Sequence, residues 1–384
     1  MLKSLIAFPV SRRNRLWSLF LSNLSSAIIL PFVLSGWRRI LHPFTRTKNL
    51  AWLLVWFPLQ AQSGVVLLYH HVDTDTPAIT SIPPGQFEKH LSIIEAEGFD
   101  VLPLDQLVEN SQDGSITRKE VAITFDDAFI SIYTEAYPRL KKRGWPFTIF
   151  VAPAYVGTGN LYLTWEQLAE MATSGATIEN HTMTHTHMVR VLTDESPAAW
   201  RQRMLMEIQD ASALLSQHGY VSTHFAYPYG EYNLELLDLV GELGLTGFGQ
   251  QSGAIGPYSD PRLLPRFPLA GIYTGERAFR EKLRSLALPA EAEIVDPLVI
   301  RTHRPPLKLT FMDDAININR LTCYGPGGLM NIAREQNTVT VSPTDDIAVG
   351  RDRYNCTLPQ GNRYYWFSQL WLRKRDDGTW YQEP

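Results

Sequence analysis

The sequence is poor in cysteine and nearly balanced in charge. Its 384 residues include two cysteines, Cys323 and Cys356, so no Cys-x-x-Cys metal-binding spacing is present. The formal net charge is −4, and the chain therefore lacks the overall positive field on which nucleic-acid binding relies. No internal repeat is evident. We expect a globular protein of about two or three domains that does not bind nucleic acid.

Acidic residues are absent before Asp73, whereas the same segment is rich in lysine and arginine. Two apolar stretches, 16–37 and 50–59, each follow a basic cluster. The second has the order of a signal peptide: a basic flank, a short apolar core, then small and polar residues. The first is about long enough to span a bilayer, although serines and Pro31 weaken that interpretation. We expect residues 1–63 to be a targeting or anchor segment.

This segment predicts export from a bacterial cytoplasm to the periplasm or cell envelope. The exported protein could be associated with the membrane through this segment. The alternatives are a buried N-terminal helix, which the charge asymmetry disfavours, and an extension ahead of the true start.

In an exported protein, two cysteines in one small module predict a disulfide between Cys323 and Cys356. Two unpaired buried thiols are the alternative.

Short apolar runs alternate with helical patterns over residues 64–290. This β-α-β-α succession predicts a parallel sheet or barrel covered by helices. In such folds the reactive groups gather at the carboxyl ends of the strands. After a predicted linker, residues 300–384 hold short β-rich runs that predict a small all-β, sandwich-like domain. There, Tyr365, Phe367 and Leu370 favour a buried core over a glycan-stacking platform.

Two adjacent carboxylates, Asp126 and Asp127, follow the apolar run "VAITF". Burying such a pair without a partner costs several kcal/mol, so a compensating charge is expected. The stretch "HTMTH" places His181 and His185 four residues apart, a spacing that brings two imidazoles together on one helical turn. Two imidazoles and the Asp127 carboxylate form the ligand set of a catalytic metal site. Asp126 would then lie beside the attacking water as its proton acceptor.

The motifs "TFDD", "HTMTH" and "FAYPYG", in this order, resemble the signature of the polysaccharide deacetylase family of metal-dependent carbohydrate esterases. The resemblance covers about residues 65–270 and implies a distorted (β/α) barrel with fewer strands than the eight of the full barrel. It also implies removal of acetyl groups from N-acetylated sugars. By resemblance, Asp126 is the general base and Tyr229 lines the groove, presenting a backbone amide to the developing oxyanion. The implied metal ligands are Asp127, His181 and His185.

The sequence departs from the family pattern at two positions. Ala128 replaces the usual glycine after the acid pair, and Ala226 replaces an arginine that braces the base. Arg262 or Arg266, both in "PRLLPRFPL", is the candidate replacement.

The general acid of the family is a late histidine that has no certain counterpart here. His70 is favoured over His303, which falls at the predicted domain junction. His187 is interpreted as a loop residue and not as a ligand. "LLYHHV", "FAYPYG" and "LPRFPL" together resemble the branch of the family that deacetylates poly-β-1,6-N-acetylglucosamine.

We therefore expect a deacetylase whose partner is an acetylated polysaccharide and whose cofactor is a divalent metal. Zinc is favoured, and cobalt or nickel would also suit these ligands. Peptidoglycan, chitin-type and O-acetylated substrates stay open within this class. The rivals are a catalytically silent glycan-binding protein and a membrane-anchored component that holds a synthase or export channel.

Overall fold

The computed structural model describes residues 63–116, 119–299 and 302–382. The predicted targeting or anchor segment, residues 1–63, lies outside the described residues except for Ser63. Among the residues that are described, no helix combines the length and the apolar character needed to cross a membrane.

The first part of the described chain alternates strands and helices. Its strands are β1 (Val65–Tyr69), β2 (His71–Val72), β3 (Ser81–Ile82), β4 (Asp100–Val101), β5 (Glu120–Asp126), β6 (Phe147–Val151), β7 (Ala176–Asn180), β8 (His224–Ala226), β9 (Thr246–Phe248) and β10 (Phe267–Pro268). Its helices are α1 (Pro84–Glu97), α2 (Leu104–Gln112), α3 (Tyr137–Arg143), α4 (Trp165–Ala172), α5 (Pro197–Gln217), α6 (Leu234–Glu242) and α7 (Glu276–Leu283).

Seven of these strands form a curled parallel sheet in the order β10-β1-β5-β6-β7-β8-β9, and β4 pairs with the start of β5. β1, β5 and β6 are buried along their whole length, as expected for parallel strands covered on both faces. Phe87 and Leu91 of α1 pack in one core cluster with Tyr69 and Phe125 of the sheet. The prediction of a distorted (β/α) barrel is confirmed, in the form of a half-barrel.

Local sequence signals determine where several helices begin and end. Thr164 accepts a hydrogen bond from Gln167 N while the Gln167 side chain accepts one from Thr164 N, and this capping box begins α4. The Ser196 hydroxyl caps α5, whose first residue is Pro197. Gly98 adopts the left-handed conformation that ends α1. The caps of α4 and α5 end the loops that follow β6 and β7 at the carboxyl edge of the sheet.

The second part of the chain is all β. Its strands are β11 (Leu286–Ala287), β12 (Ala290–Ala292), β13 (Leu298–Val299), β14 (Leu307–Phe311), β15 (Thr322–Gly325), β16 (Gly328–Leu329), β17 (Asn331–Glu335), β18 (Thr338–Ser342), β19 (Gly350–Gln360) and β20 (Arg363–Arg373). They form two mainly antiparallel sheets, β11-β20-β19-β15-β16, with β13 also paired to β20, and β12-β14-β18-β17. The predicted all-β domain is confirmed. Because β11 and β12 belong to these sheets, the segment after residue 285 is not a linker.

A disulfide joins Cys323 of β15 to Cys356 of β19. The two residues occupy directly paired positions of neighbouring strands, and both are fully buried. The predicted disulfide is confirmed, and the alternative of two unpaired thiols is wrong. Tyr365 and Leu370 are also buried, in agreement with the core interpretation of this segment.

Strand β20 packs against the α/β region as well as within its own sheet. Gln369 Nε2 donates a hydrogen bond to the hydroxyl of Tyr232 at 2.9 Å. Leu370 and Leu372 share a buried cluster with Phe225 and Leu236. Through this contact the β-domain lies beside the loop that follows β8.

Candidate active site

Asp127, His181 and His185 meet at the carboxyl edge of the sheet. Asp127 Oδ1 lies 3.0 Å from His185 Nε2 and 3.4 Å from His181 Nε2, and one ligand atom from each residue fits within 4.8 Å of the others. Within the described chain, Asp127 Oδ1 and His181 Nε2 are buried and have no hydrogen-bond partner. Buried polar atoms are rarely left in this state. One carboxylate and two imidazoles aimed at one point therefore fit a divalent metal ion.

The two histidines converge through a loop and not through a helical turn. The chain after β7 is irregular, and Thr182 and His185 have φ values of 62° and 53°. The helical interpretation of the HxxxH spacing is therefore wrong, although both rings reach the same point. Asp127 and Ala128 also have positive φ, 71° and 55°. Left-handed non-glycine residues cluster at functional sites, and this conformation explains why glycine suits the position of Ala128.

Hydrogen bonds from neighbouring elements orient the first histidine of the cluster. His181 Nδ1 lies 2.7 Å from the carbonyl oxygen of Ala226 at the end of β8. Because a carbonyl can only accept, Nδ1 carries the proton and the lone pair of Nε2 is left for a metal. Asn180 Oδ1 accepts from Thr182 N at 2.8 Å and holds the start of the loop. Ala226, which lacks the family's arginine side chain, thus acts through its backbone.

Asp126 is held by Arg266, which lies just before β10. Both guanidinium Nη atoms contact its two oxygens, at 2.7 and 2.8 Å, and both side chains are fully buried. Burial raises the pKa of Asp126, but the charges of Arg266 and His181 outweigh burial, so its pKa lies below the usual value. Of the two candidate arginines, Arg266 braces this carboxylate, whereas Arg262 pairs with Asp238 and Asp260.

Asp127 is ionised for a related reason. Burial raises its pKa, but the nearby charge of His185 and the closeness of both imidazoles outweigh burial and bring the pKa well below its usual value. Both neighbouring aspartates therefore carry a negative charge at neutral pH. The compensating groups are Arg266 for one and the histidine cluster for the other.

The two candidate general acids lie in different environments. His70, at the end of β1, has Nε2 3.9 Å from Asp126 Oδ2. Burial lowers its pKa, more strongly than Asp127 and Asp126 raise it. His303 lies in the β-domain, where Nδ1 is 3.5 Å from Asp346 Oδ2 and more than a third of the side chain is exposed. The structure brings His70 to the cluster and places His303 against a surface carboxylate.

Tyr229 occupies a tight turn after β8 with φ 61°. Its ring meets the His185 ring edge-on at 4.5 Å and stacks on His187 at 3.7 Å. Gly230, also at positive φ, lies so close to Gln250 that a Cβ would come within 2.7 Å of it, which accounts for the glycine of "YPYG". His187 lies in the loop, as expected.

The sequence analysis did not identify three residues near this turn: Glu231, Arg351 and Tyr381. Glu231 is buried and bonded by His187, Arg351 and Tyr381. The acid directly after "YPYG" is a signal that could have identified Glu231. Its partners Arg351 and Tyr381 lie more than a hundred residues away in another domain, and no local pattern points to them.

Comparisons with known proteins agree with this geometry. The family model described as polysaccharide deacetylase matches residues 113–248. YxkH of Bacillus subtilis (strain 168), which carries the name of a polysaccharide deacetylase, is 33% identical over 181 residues, 47% of this chain and 61% of that protein. A poly-β-1,6-N-acetyl-D-glucosamine N-deacetylase of Staphylococcus aureus (strain MSSA476) is 28% identical over 201 residues, 48% of this chain and 67% of that protein. The chain thus spans less than two thirds of the Bacillus protein.

Two solved structures have a similar fold. Deacetylase PplD of Streptococcus pyogenes, in complex with acetate, matches with a TM-score of 0.52 at 23% identity, over 58% of this chain and 98% of that one. IcaB from Ammonifex degensii matches with a TM-score of 0.50 at 27% identity, over 57% and 97%. The chain shares the curled parallel half-barrel of these two proteins, and an Asp-His-His cluster lies at its carboxyl edge. Residues 113–248 match the polysaccharide deacetylase family, and the chain is similar to proteins that carry the names of such deacetylases.

Proposed function

We propose that this protein is a metal-dependent deacetylase that removes N-acetyl groups from a polysaccharide of the poly-β-1,6-N-acetylglucosamine type. The single observation that carries the proposal is the position of Asp126. Its carboxylate, fixed by Arg266, lies directly beside three residues whose ligand atoms fit within 4.8 Å of one another. A base beside a metal site is the arrangement that hydrolysis of an unreactive amide requires.

The metal site would be formed by Asp127, His181 and His185. A divalent cation held there supplies a Lewis acid that polarises the acetyl carbonyl and lowers the pKa of water. Zinc is the proposed ion, because two imidazoles and one carboxylate match the ligand set of catalytic zinc sites.

The remaining steps belong to residues of this chain. Asp126 accepts a proton from the attacking water as the new C–O bond forms. Tyr229 lies on the turn beside the cluster, where a backbone amide would donate to the developing oxyanion. The C–N bond then breaks, and the proton passes through His70, 3.9 Å from Asp126, to the departing amine. The products are acetate and a glucosamine residue with a free amino group.

The choice of substrate rests on relatives. A protein named as a poly-β-1,6-N-acetyl-D-glucosamine N-deacetylase is 28% identical to this chain, and IcaB is 27% identical. The intact base and ligand set argue against a silent glycan-binding member, because such a protein has no use for a buried, charged base.

We also propose that the protein is exported to the periplasm or cell envelope. The buried disulfide supports this location, because disulfides persist in oxidising compartments.

The test is acetate release from defined oligosaccharides. The panel contains β-1,6-linked and β-1,4-linked N-acetylglucosamine oligomers, peptidoglycan fragments and an O-acetylated glycan. Each is assayed with the protein as purified, after chelation, and after addition of zinc, cobalt or nickel. We expect the fastest release from the β-1,6-linked oligomer and none after chelation. Faster release from another glycan would overturn the proposed substrate. No release from any of the glycans would overturn the proposed deacetylase activity.

A further inference from the structure

Glu231 receives hydrogen bonds from three side chains of three different segments. Its carboxylate is fully buried and accepts from His187 Nδ1 at 2.9 Å, from Arg351 Nη1 at 3.1 Å and from the Tyr381 hydroxyl. Burial raises the pKa of Glu231, but the bonds from His187 and Tyr381 and the charge of Arg351 outweigh burial, so its pKa is lowered. A buried carboxylate that accepts from three side chains is an ordered junction, not a surface ion pair.

Two of these donors come from the β-domain. Arg351 lies in β19, and Tyr381 follows β20. Tyr381 is nearly buried, and its ring lies 5.3 Å from the Arg190 guanidinium in the loop that begins with the metal-site histidines. The β-domain therefore contacts both loops of the candidate active site.

Two members of the junction contact the ring of Tyr229. The Arg351 guanidinium lies 5.6 Å from the centre of that ring, and His187 stacks on it at 3.7 Å with the planes 6° apart. Tyr229 itself has a left-handed backbone, a conformation that a non-glycine residue keeps only where its surroundings hold it. His187 and Arg351, which contact its ring, both bond to Glu231.

We propose that Arg351 and Tyr381 are positioning residues for the reaction, so that the β-domain completes the active site. They hold Glu231, and Glu231 with His187 holds the turn of Tyr229 against the metal-site histidines. The inference rests on the deacetylase function proposed above. It assigns the β-domain a role in turnover at the same site rather than a separate binding function.

The first test compares two tyrosine-to-phenylalanine variants of the β-domain. Tyr381→Phe removes the hydroxyl that reaches Glu231 and keeps the ring. Tyr354→Phe removes another buried hydroxyl, which donates to Pro305 O at 3.0 Å, and serves as the matched control. We expect Tyr381→Phe to lower kcat at least about tenfold, as for loss of a bond to a charged group, with KM within about twofold. Tyr354→Phe should leave both constants unchanged.

A second comparison uses the arginine. Arg351→Met should lower kcat in the same way, whereas Arg351→Lys should recover part of the loss because it restores a charge beside Glu231. Arg304→Met breaks an exposed pair with Asp346 in the same domain and should have no effect. If Tyr381 acts through Glu231, the double variant with Glu231→Gln should lose no more kcat than the worse single variant. Losses that multiply would overturn this route.

Hydrogen exchange gives a readout that does not depend on activity. The amides of Gly230 and Glu231 donate within the turn, to Tyr227 O and Pro228 O. Exchange in the peptide covering residues 227–232 should accelerate in Tyr381→Phe and Arg351→Met and stay unchanged in the two controls. Unchanged exchange, or faster exchange with unaltered kcat in an active protein, overturns the inference. If the wild type releases no acetate, the proposed function fails, while faster exchange in these two variants would still show that Arg351 and Tyr381 hold the turn.

Discussion

Arg266 and Asp126 form a two-pronged ion pair in a part of the core where neither side chain is exposed, with Nη–Oδ distances of 2.7 and 2.8 Å. The guanidinium also donates to the carbonyl oxygen of Gly249 at 2.9 Å. Arginine suits this place because its planar fork matches both carboxylate oxygens and stays charged when buried. The pair fixes the direction in which the carboxylate faces the metal-site residues.

Replacing Asp126 by asparagine should nearly abolish turnover. Asparagine has almost the same shape but cannot accept the proton, and a positioned base contributes about 10²–10⁴-fold. We expect kcat for acetate release to fall by about that factor while metal content, measured by elemental analysis, stays at the wild-type level. A variant that is folded by circular dichroism and releases acetate at near the wild-type rate would refute the role of Asp126.

Breaking the Asp126–Arg266 pair from the other side should destabilise the fold. Arg266→Met leaves a buried carboxylate without its partner, which costs about 3–5 kcal/mol. In the double variant Asp126→Asn/Arg266→Met no charge is left unpaired, so most of the lost stability should return while activity does not. Urea unfolding of the three variants and the wild type provides the measurement. Additive losses in the double variant would mean that the pair is not the source of the effect.

Removing the metal should stop the reaction and leave the fold intact. The core of the half-barrel does not depend on the ion, because strands β1, β5 and β6 are buried against protein. We expect chelation to eliminate acetate release, addition of zinc to restore it, and the far-ultraviolet spectrum to stay constant. His185→Ala should lower the bound metal and His303→Ala should not. Equal metal content in both would contradict the assigned ligands.

The protein should become less stable as the pH is lowered through a window that the titration of His90 defines. The imidazole accepts from the Tyr69 hydroxyl and donates to Thr274 O, and it stacks on Phe279 at 3.8 Å. Burial lowers the pKa of His90 to about 4, whereas the unfolded chain titrates at about 6.5. The unfolded state therefore binds more protons between these values, and stability is lost as pH falls from 6.5 towards 4.

The contribution of His90 to this loss is up to about 3 kcal/mol. The measurement is the unfolding free energy of the wild type and of His90→Gln at several pH values across the window. Because glutamine does not titrate, the variant should show a shallower slope. Parallel slopes would show that His90 does not exchange a proton on unfolding.

The ligand set could be predicted from sequence because each residue sits in a short motif at a strand end. Asp127 follows β5 and His181 follows β7, and parallel strands bring their carboxyl ends to one edge. The prediction failed where it relied on local conformation. The spacing of His181 and His185 suggested a helical turn, but a loop with left-handed residues brings the two imidazoles together. Similarly, β11 and β12 are two or three residues long, too short to give a strand pattern.

The alternation of strands and helices, the three motifs and the ligand types can be read from the sequence, because they depend on neighbours within a few positions. Three pairings depend on the folded chain. Arg266 and not Arg262 reaches Asp126, His70 and not His303 lies at the cluster, and Arg351 and Tyr381 meet Glu231. Such pairings join residues up to 150 positions apart. They are set by the way sheets and domains pack, which no local pattern encodes.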